Sequence, residues 1–312
     1  MAKARETQEK ATPKPRAKAA PKPKADAAKK DDGHAESIRA MAVADARANP
    51  TRVVGTGSGK PSGDGPVLER GDIFFFYRPD VDDEAPSSLT DVRRFHIVLR
   101  PADSDTVRMI TVGRKTLPGS GEGGGNYWAF VDRVFPKPED IRAYLGEATY
   151  ETETQGERTL PAARPVGEGV YALARHAQGT VLAYVLELPQ HVGEVQDAFG
   201  IEAQGRFVVS LKNPNVGSPS GLGLDDDRKA DLPRELAAKF GARKWLPAEP
   251  PSFLDHEGVE MVLIGGRIDP DDDLGLELEP QPEDEENAEV FRDLHIDRTE
   301  RSLRPLFEGE WA

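Results

Sequence analysis

Asp72-Ile73-Phe74-Phe75-Phe76-Tyr77-Arg78 is the stretch whose reading decides the fold. An apolar run this short, bounded by charge, suits a strand better than a helix, and it leaves no polar face when side chains alternate. It therefore reads as a central strand buried on both sides. The next run, 93–100, is different. Phe95, Ile97 and Leu99 take one face, while Arg94, His96, Val98 and Arg100 take the other. That second face is either solvated or lines a site.

Working outward, runs at 107–114, 127–135, 169–176, 181–188, 206–212 and 259–264 share the aromatic and β-branched enrichment of strands, with Gly, Pro and Asp clusters between them. Helical signals are few. Pro138, Glu139 and Asp140 open a helix that Gly146 ends, 194–199 runs into Gly200, and 233–240 runs into Gly241 with Leu236 and Phe240 one turn apart. The triplet Asp225-Asp226-Asp227 reads as a helix N-terminal cap. Eight strands and a few short helices predict a β-rich α+β body over 67–268, with a mixed or antiparallel small-barrel-like sheet. The hairpins 72–100 and 169–188 both leave through Leu-x-Pro or Leu-Pro, so a degenerate duplication with halves 67–150 and 160–268 is an alternative to a single undivided body.

The flanks differ from the body. Of 312 residues, 37% are hydrophobic and 7% aromatic, too few to fill a globule of that length, so disordered termini are expected. Residues 1–34 form a basic Lys/Ala/Pro arm. The first thirty carry ten Lys or Arg against three acids, with no Leu, Ile, Val, Phe, Tyr or Trp, and cannot offset the entropy of ordering. The stretch Pro15-Arg-Ala-Lys-Ala-Ala-Pro-Lys-Pro-Lys24 resembles the tails of linker-histone-like proteins in composition. Its cations Lys14, Arg16, Lys18, Lys22, Lys24, Lys29 and Lys30 are candidate contacts to nucleic-acid phosphates, the alternative being a solubilising tail. A short helix is expected at 35–49, with Ile38, Met41 and Ala42 on one side, and a Gly/Ser/Pro linker at 50–66. Residues 269–312 reverse the sign. Sixteen acids against four Arg give an acidic tail of net −12, while 1–30 is +7, leaving −9 on the rest of a chain whose total is −14. Its apolar islands, Val290-Phe291, Leu294, Leu303, Leu306-Phe307 and Trp311, suit a peptide that docks on a protein partner or a short helix folding back on the body; folding back is preferred.

Absences narrow the chemistry. With no Cys there is no disulfide framework, no thiolate nucleophile and no sulfur-built metal site. No apolar run reaches membrane-spanning length and the basic N-terminus lacks the apolar core of a secretory signal, so a cytoplasmic location with no membrane partner is expected. Val54-Gly-Thr-Gly-Ser-Gly-Lys60-Pro61 misses the P-loop spacing at Val54 and its Ser/Thr at Pro61. Gly119-Ser-Gly121-Glu-Gly-Gly124 fits a dinucleotide pattern, but a strand follows where a helix is required, so it reads as a hairpin loop. Asp269-Pro-Asp271-Asp-Asp273-Leu274 has the alternation of a calcium loop without its Gly or its final Glu. The six His have no ligand spacing, so a histidine metal site would need side chains from distant parts of the chain; neither metal nor cofactor is expected. Gly217-Ser-Pro-Ser-Gly221 has Pro219 where a nucleophilic Ser would sit.

What remains are Arg and His clusters: Arg93, Arg94, His96 and Arg100 on one strand; Glu157, Arg158 and Arg164 in a loop; Arg175 and His176 at a strand end. Arg with His can hold a phosphate and move a proton, yet on an acidic body such Arg more often pair with carboxylates. Glu69-Arg70-Gly71-Asp72-Ile73, followed by an aromatic strand, an acidic loop and Arg93-Arg94-Phe95-His96-Ile97, resembles the opening of PemK/MazF-like toxins over about 30 residues. The resemblance implies an SH3-like barrel and endoribonuclease activity, with Arg94 in the role of the family's second-strand Arg; Phe95 stands where that family has Pro. Three functions follow as expectations. A non-enzymatic binding protein contacting nucleic acid through the arm is preferred. An RNA-cleaving enzyme using His96, Arg94 and Arg100, or an assembly component docking through its tails, are the alternatives.

Overall fold

The computed structural model describes residues 67–119, 124–152, 156–218, 223–265, 276 and 278–311. The basic arm, the short helix and the linker expected before Val67 lie outside the described residues, as do the tip of the 119–124 loop and residues 269–275. Eleven strands are described: β1 (Val67–Pro79), β2 (Val92–Pro101), β3 (Val107–Val112), β4 (Asn126–Phe135), β5 (Ala148–Thr152), β6 (Gly156–Leu160), β7 (Arg164–His176), β8 (Gly179–Leu188), β9 (Gln204–Lys212), β10 (Trp245–Pro247) and β11 (Glu260–Ile264). Five short helices accompany them: α1 (Ile141–Leu145), α2 (Glu194–Phe199), α3 (Arg234–Phe240), α4 (Glu289–Arg292) and α5 (Arg304–Phe307).

Eight strands close into an antiparallel barrel in the order β9-β11-β4-β3-β2-β1-β7-β8, with β8 returning to β9; β10 adds to β9, and β5 with β6 forms a separate hairpin. Each of the eight runs read as strands supplies one stave. Two meanders, β1 to β4 and β7 with β8, β9 and β11, meet where β1 pairs with β7 and β4 pairs with β11. Closure leaves no edge on the main sheet except through β10, which removes the usual route to edge-to-edge aggregation.

Alternation along β1 explains its double burial. Ile73, Phe75 and Tyr77 point into the barrel with Phe95, Ile97, Leu99, Tyr184 and Phe207, all nearly inaccessible. Phe95 stacks on Phe199 of α2 at 4.8 Å, Tyr77 stacks on Phe199 at 5.3 Å, and Trp311 meets both rings at 5.7 Å. Toward the other end of β1, Glu69 takes a two-pronged hydrogen bond from buried Arg108 at 2.7 and 2.9 Å, while Asp255 and the Tyr171 hydroxyl complete the cluster. Rings therefore fill one end of the lumen and a satisfied ion cluster fills the other.

Outside the barrel, Phe74, Phe76, Val98 and Met109 pack beneath Ile141 and Leu145 of α1 and beneath Val290, Leu294, Ile296 and Leu306 of the C-terminal segment. A second patch of small residues on β7, β8 and β9 is covered by Leu276 and Leu278. Residues 278–311 are acidic, but their apolar islands cover staves that would otherwise expose Phe and Val, and that burial opposes the ordering cost. Gln196 of α2, fully buried, donates to the carbonyls of Val166 and Pro305 and fixes α5 in place. The folding-back reading of the islands is the one seen. Among the described residues, no helix is long and apolar enough to cross a membrane.

At Gly71 the backbone of β1 lies close against that of β2. A Cβ there would lie 2.0 Å from the carbonyl oxygen of Arg100, a backbone atom that cannot swing aside. Gly71→Ala is expected to destabilise the protein by about 3 kcal/mol, the upper range for overpacking, read as a lower urea midpoint. A cost under about 0.5 kcal/mol would refute the close approach.

Candidate functional site

The outer face of β2 that the sequence offers as a platform is present, but its residues meet different fates. On β1 and β2 the Cα partners are Arg78 with Arg94, Phe76 with His96, and Asp72 with Arg100, and His96 is opposite Thr111 of β3. This register lines up Phe76, His96 and Thr111 across three staves, with Arg78 beside Arg94 one outward position further along.

His96 is 1% exposed. Its Nδ1 lies 3.0 Å from Thr111 Oγ1, and that hydroxyl donates to Asp132 Oδ2 at 3.0 Å. Since the single Thr hydrogen goes to the carboxylate, His96 Nδ1 is the donor of the pair, which places the ring in the neutral Nδ1–H tautomer. Burial, with the nearby Arg78 and Arg94 cations, holds the imidazole down at about 3, so it stays uncharged at neutral pH. A general base needs a route to its substrate and a proton affinity near the working pH. His96 is far from both conditions.

Arg78 is buried and serves the chain. Its guanidinium donates to the carbonyls of Tyr144 and Gly146 at the end of α1, at 2.6 and 3.0 Å, and to that of Pro161 between β6 and β7 at 2.7 Å. Burial lowers it to about 10, which leaves it a cation. Arg301 reaches the same loop from the C-terminal segment through the carbonyls of Leu145 and Ala163. Sequence reading passed over both, and the only local signal is an Arg placed beside a deeply apolar run.

Arg100 bridges two carboxylates, Asp72 at 2.8 Å and Asp293 at 2.9 Å, and so ties β1 and β2 to the segment after α4. Arg94 remains exposed on the wall, and Arg93 makes a loose pair with Asp80 at 3.5 Å. The other two clusters resolve into ion pairs: Arg158 with Asp82, and Arg175 with both oxygens of Glu249. Arg164 donates to the carbonyl of Glu84. The structure thus separates Arg94, His96 and Arg100 by environment, one exposed, one sealed and one neutralised. Lys14, Arg16, Lys18, Lys22, Lys24, Lys29 and Lys30 lie outside the described residues.

The Glu69-Arg-Gly-Asp72 motif also has a local account. Glu69 holds Arg108, Gly71 permits the β1–β2 approach, and Asp72 holds Arg100. Glu69, Gly71 and Asp72 are thereby each used in building the barrel. Compared with protein families, with curated proteins and with solved structures, the chain gives no match.

Proposed function

We propose that the protein is a non-catalytic binding protein whose barrel is a filled scaffold and whose basic arm contacts nucleic acid. The observation that carries this reading is the state of the strand-borne candidates: His96 is sealed and neutral, and Arg100 is committed to Asp72 and Asp293. Aromatic and aliphatic side chains also pack the barrel interior, where a ligand of a larger barrel would sit. The strongest surplus of positive charge in the chain is the arm, +7 over thirty residues on a protein of net −14. Such an arm binds by releasing counterions from phosphates, without reading sequence. The assembly reading, in which the tail docks elsewhere, has to compete with the barrel for Val290, Leu294 and Leu306, which are fully buried at home.

The test is fluorescence anisotropy of the full chain with generic duplex DNA and single-stranded RNA at about 50 and about 200 mM salt, beside a variant with Lys14, Arg16, Lys18, Lys22, Lys24, Lys29 and Lys30 all changed to Gln. Seven phosphate contacts predict a loss of roughly 10³- to 10⁴-fold in affinity across that salt range, and loss of binding in the variant. Binding that survives neutralisation of the arm moves the contact onto the β1–β4 wall and favours the RNA-cleaving alternative built on Arg94. No binding by either protein refutes the nucleic-acid reading altogether.

A further inference from the structure

Beside the Arg100 bridge, the C-terminal segment brings a second set of acids against the barrel. Glu168 comes from β7 and Glu187 from β8; Glu283 and Glu289 come from the segment itself. One carboxylate oxygen from each of Glu187, Glu283 and Glu289 falls within 4.8 Å of the other two, and Glu289 stands in the same relation to Asp72 and Asp293. The two halves of this cluster are treated differently. Asp72 and Asp293 share Arg100, and Arg292 pairs with Asp293 and Glu289. Glu187 and Glu283 have no ion-pair partner among the described residues.

Both of these side chains are more than nine-tenths buried, at 8% and 5% exposure. Glu187 Oε1 accepts the Gln281 N–H, but its Oε2 has no hydrogen-bond donor, and neither has Glu283 Oε2. Glu168, 1% exposed, is better served, accepting the backbone N–H groups of Glu289 and Val290 at 3.0 and 3.1 Å. Two undonated buried oxygens in one group are unusual, because each forfeits its hydration without replacement.

We propose that Glu187, Glu283 and Glu289 form a binding site for a hard divalent cation of the Ca²⁺ type, which fastens the C-terminal segment to β8. All three donors are carboxylate oxygens, the ligand class that such ions select. Ligand flexibility favours calcium, which accepts irregular oxygen cages, whereas magnesium demands near-ideal octahedral geometry and keeps several of its waters. Three carboxylates supply three to six of the oxygens calcium takes. Glu187 lies about a hundred residues before Glu283 and Glu289 in the chain, so the site exists only when the segment is docked, and ion binding and docking are one equilibrium.

Calorimetric titration of EDTA-stripped full-length protein with CaCl2 tests this. One saturable site is expected, with a thermal midpoint that rises as Ca²⁺ is added. Glu187→Gln and Glu283→Gln keep side-chain volume and remove only charge, and each should weaken binding at least tenfold. The exposed neighbours Glu285→Gln and Glu286→Gln should leave it unchanged. The proposal is overturned by an absence of saturable binding up to about 5 mM CaCl2, beyond the weakest usual protein calcium sites. An equal loss in the Glu285 and Glu286 variants also overturns it, since the ion would then sense only the general acidity of the segment. So does a Glu187→Gln protein that is more stable than wild type while neither binds, because protons would then be the species that neutralise the cluster.

Discussion

Lys212→Met is expected to cost about 3 to 5 kcal/mol, the usual penalty for removing one partner of a buried ion pair. Lys212 of β9 and Glu260 of β11 face each other with Nζ to Oε2 at 3.0 Å, and their side chains are 0% and 2% exposed. The other Glu260 oxygen accepts the Leu224 N–H at 2.8 Å, so the carboxylate is held from two sides. Methionine fills the space of the lysine stem but leaves Glu260 charged, desolvated and served by one donor. The penalty therefore comes from the orphaned charge more than from the lost attraction. The double variant Lys212→Met with Glu260→Gln should recover most of the loss, because no net charge then stays buried. Urea midpoints of the wild type, the two single variants and the double variant measure this directly. Strict additivity of the single effects would refute the coupling, and a Lys212→Met protein within 1 kcal/mol of wild type would show that water reaches the pair.

That pair illustrates what the sequence makes legible. Lys212 and Glu260 each end or begin a run recognisable as a strand, but nothing in either run names the other as neighbour. The eight barrel staves are legible because each is short, rich in aromatic or β-branched residues and bounded by turn formers, and those properties are local. The helix stops are legible for the same reason: Gly200 at φ 66° and Gly241 at φ 52° adopt the left-handed backbone that Gly supplies without steric cost. The β5–β6 hairpin escapes because Ala148–Thr152 and Gly156–Leu160 are mostly exposed and carry no apolar alternation to detect. Arg100 looks like a free cation on a platform until Asp293 arrives from 193 positions away. The acid triangle of Glu187, Glu283 and Glu289 has no spacing rule at all, since only docking of the C-terminal segment creates it.

The same dependence on context reverses the chemical reading of His96. On the strand it shares a face with Arg94 and Arg100 and looks like a solvent-facing base; in the barrel wall it is a neutral donor to Thr111. A strong pH dependence follows. The unfolded chain takes up a proton on this ring as pH falls through the ordinary histidine value of 6.5, while the folded protein does not until about 3. The native state therefore loses stability over that window as pH falls, by about 1.4 kcal/mol per unit and on the order of 5 kcal/mol in all, and the contribution is absent above 6.5. Burial of the ring sets this window first, and the Arg78 cation on β1 and the Arg94 cation on β2 itself push it further in the same direction. His96→Asn keeps an N–H near the position of Nδ1 and removes the titration. At pH 7.5 the wild type should be the more stable, since the smaller side chain leaves a gap. By pH 4.5 the difference should have moved about 3 kcal/mol in favour of the variant. Carboxylates elsewhere titrate in both proteins and cancel in the comparison. Urea unfolding of the pair at four or five pH values provides the curve. A gap that stays flat from pH 7.5 to 4.5 would mean that solvent reaches the ring, and would restore His96 as a group able to meet a substrate.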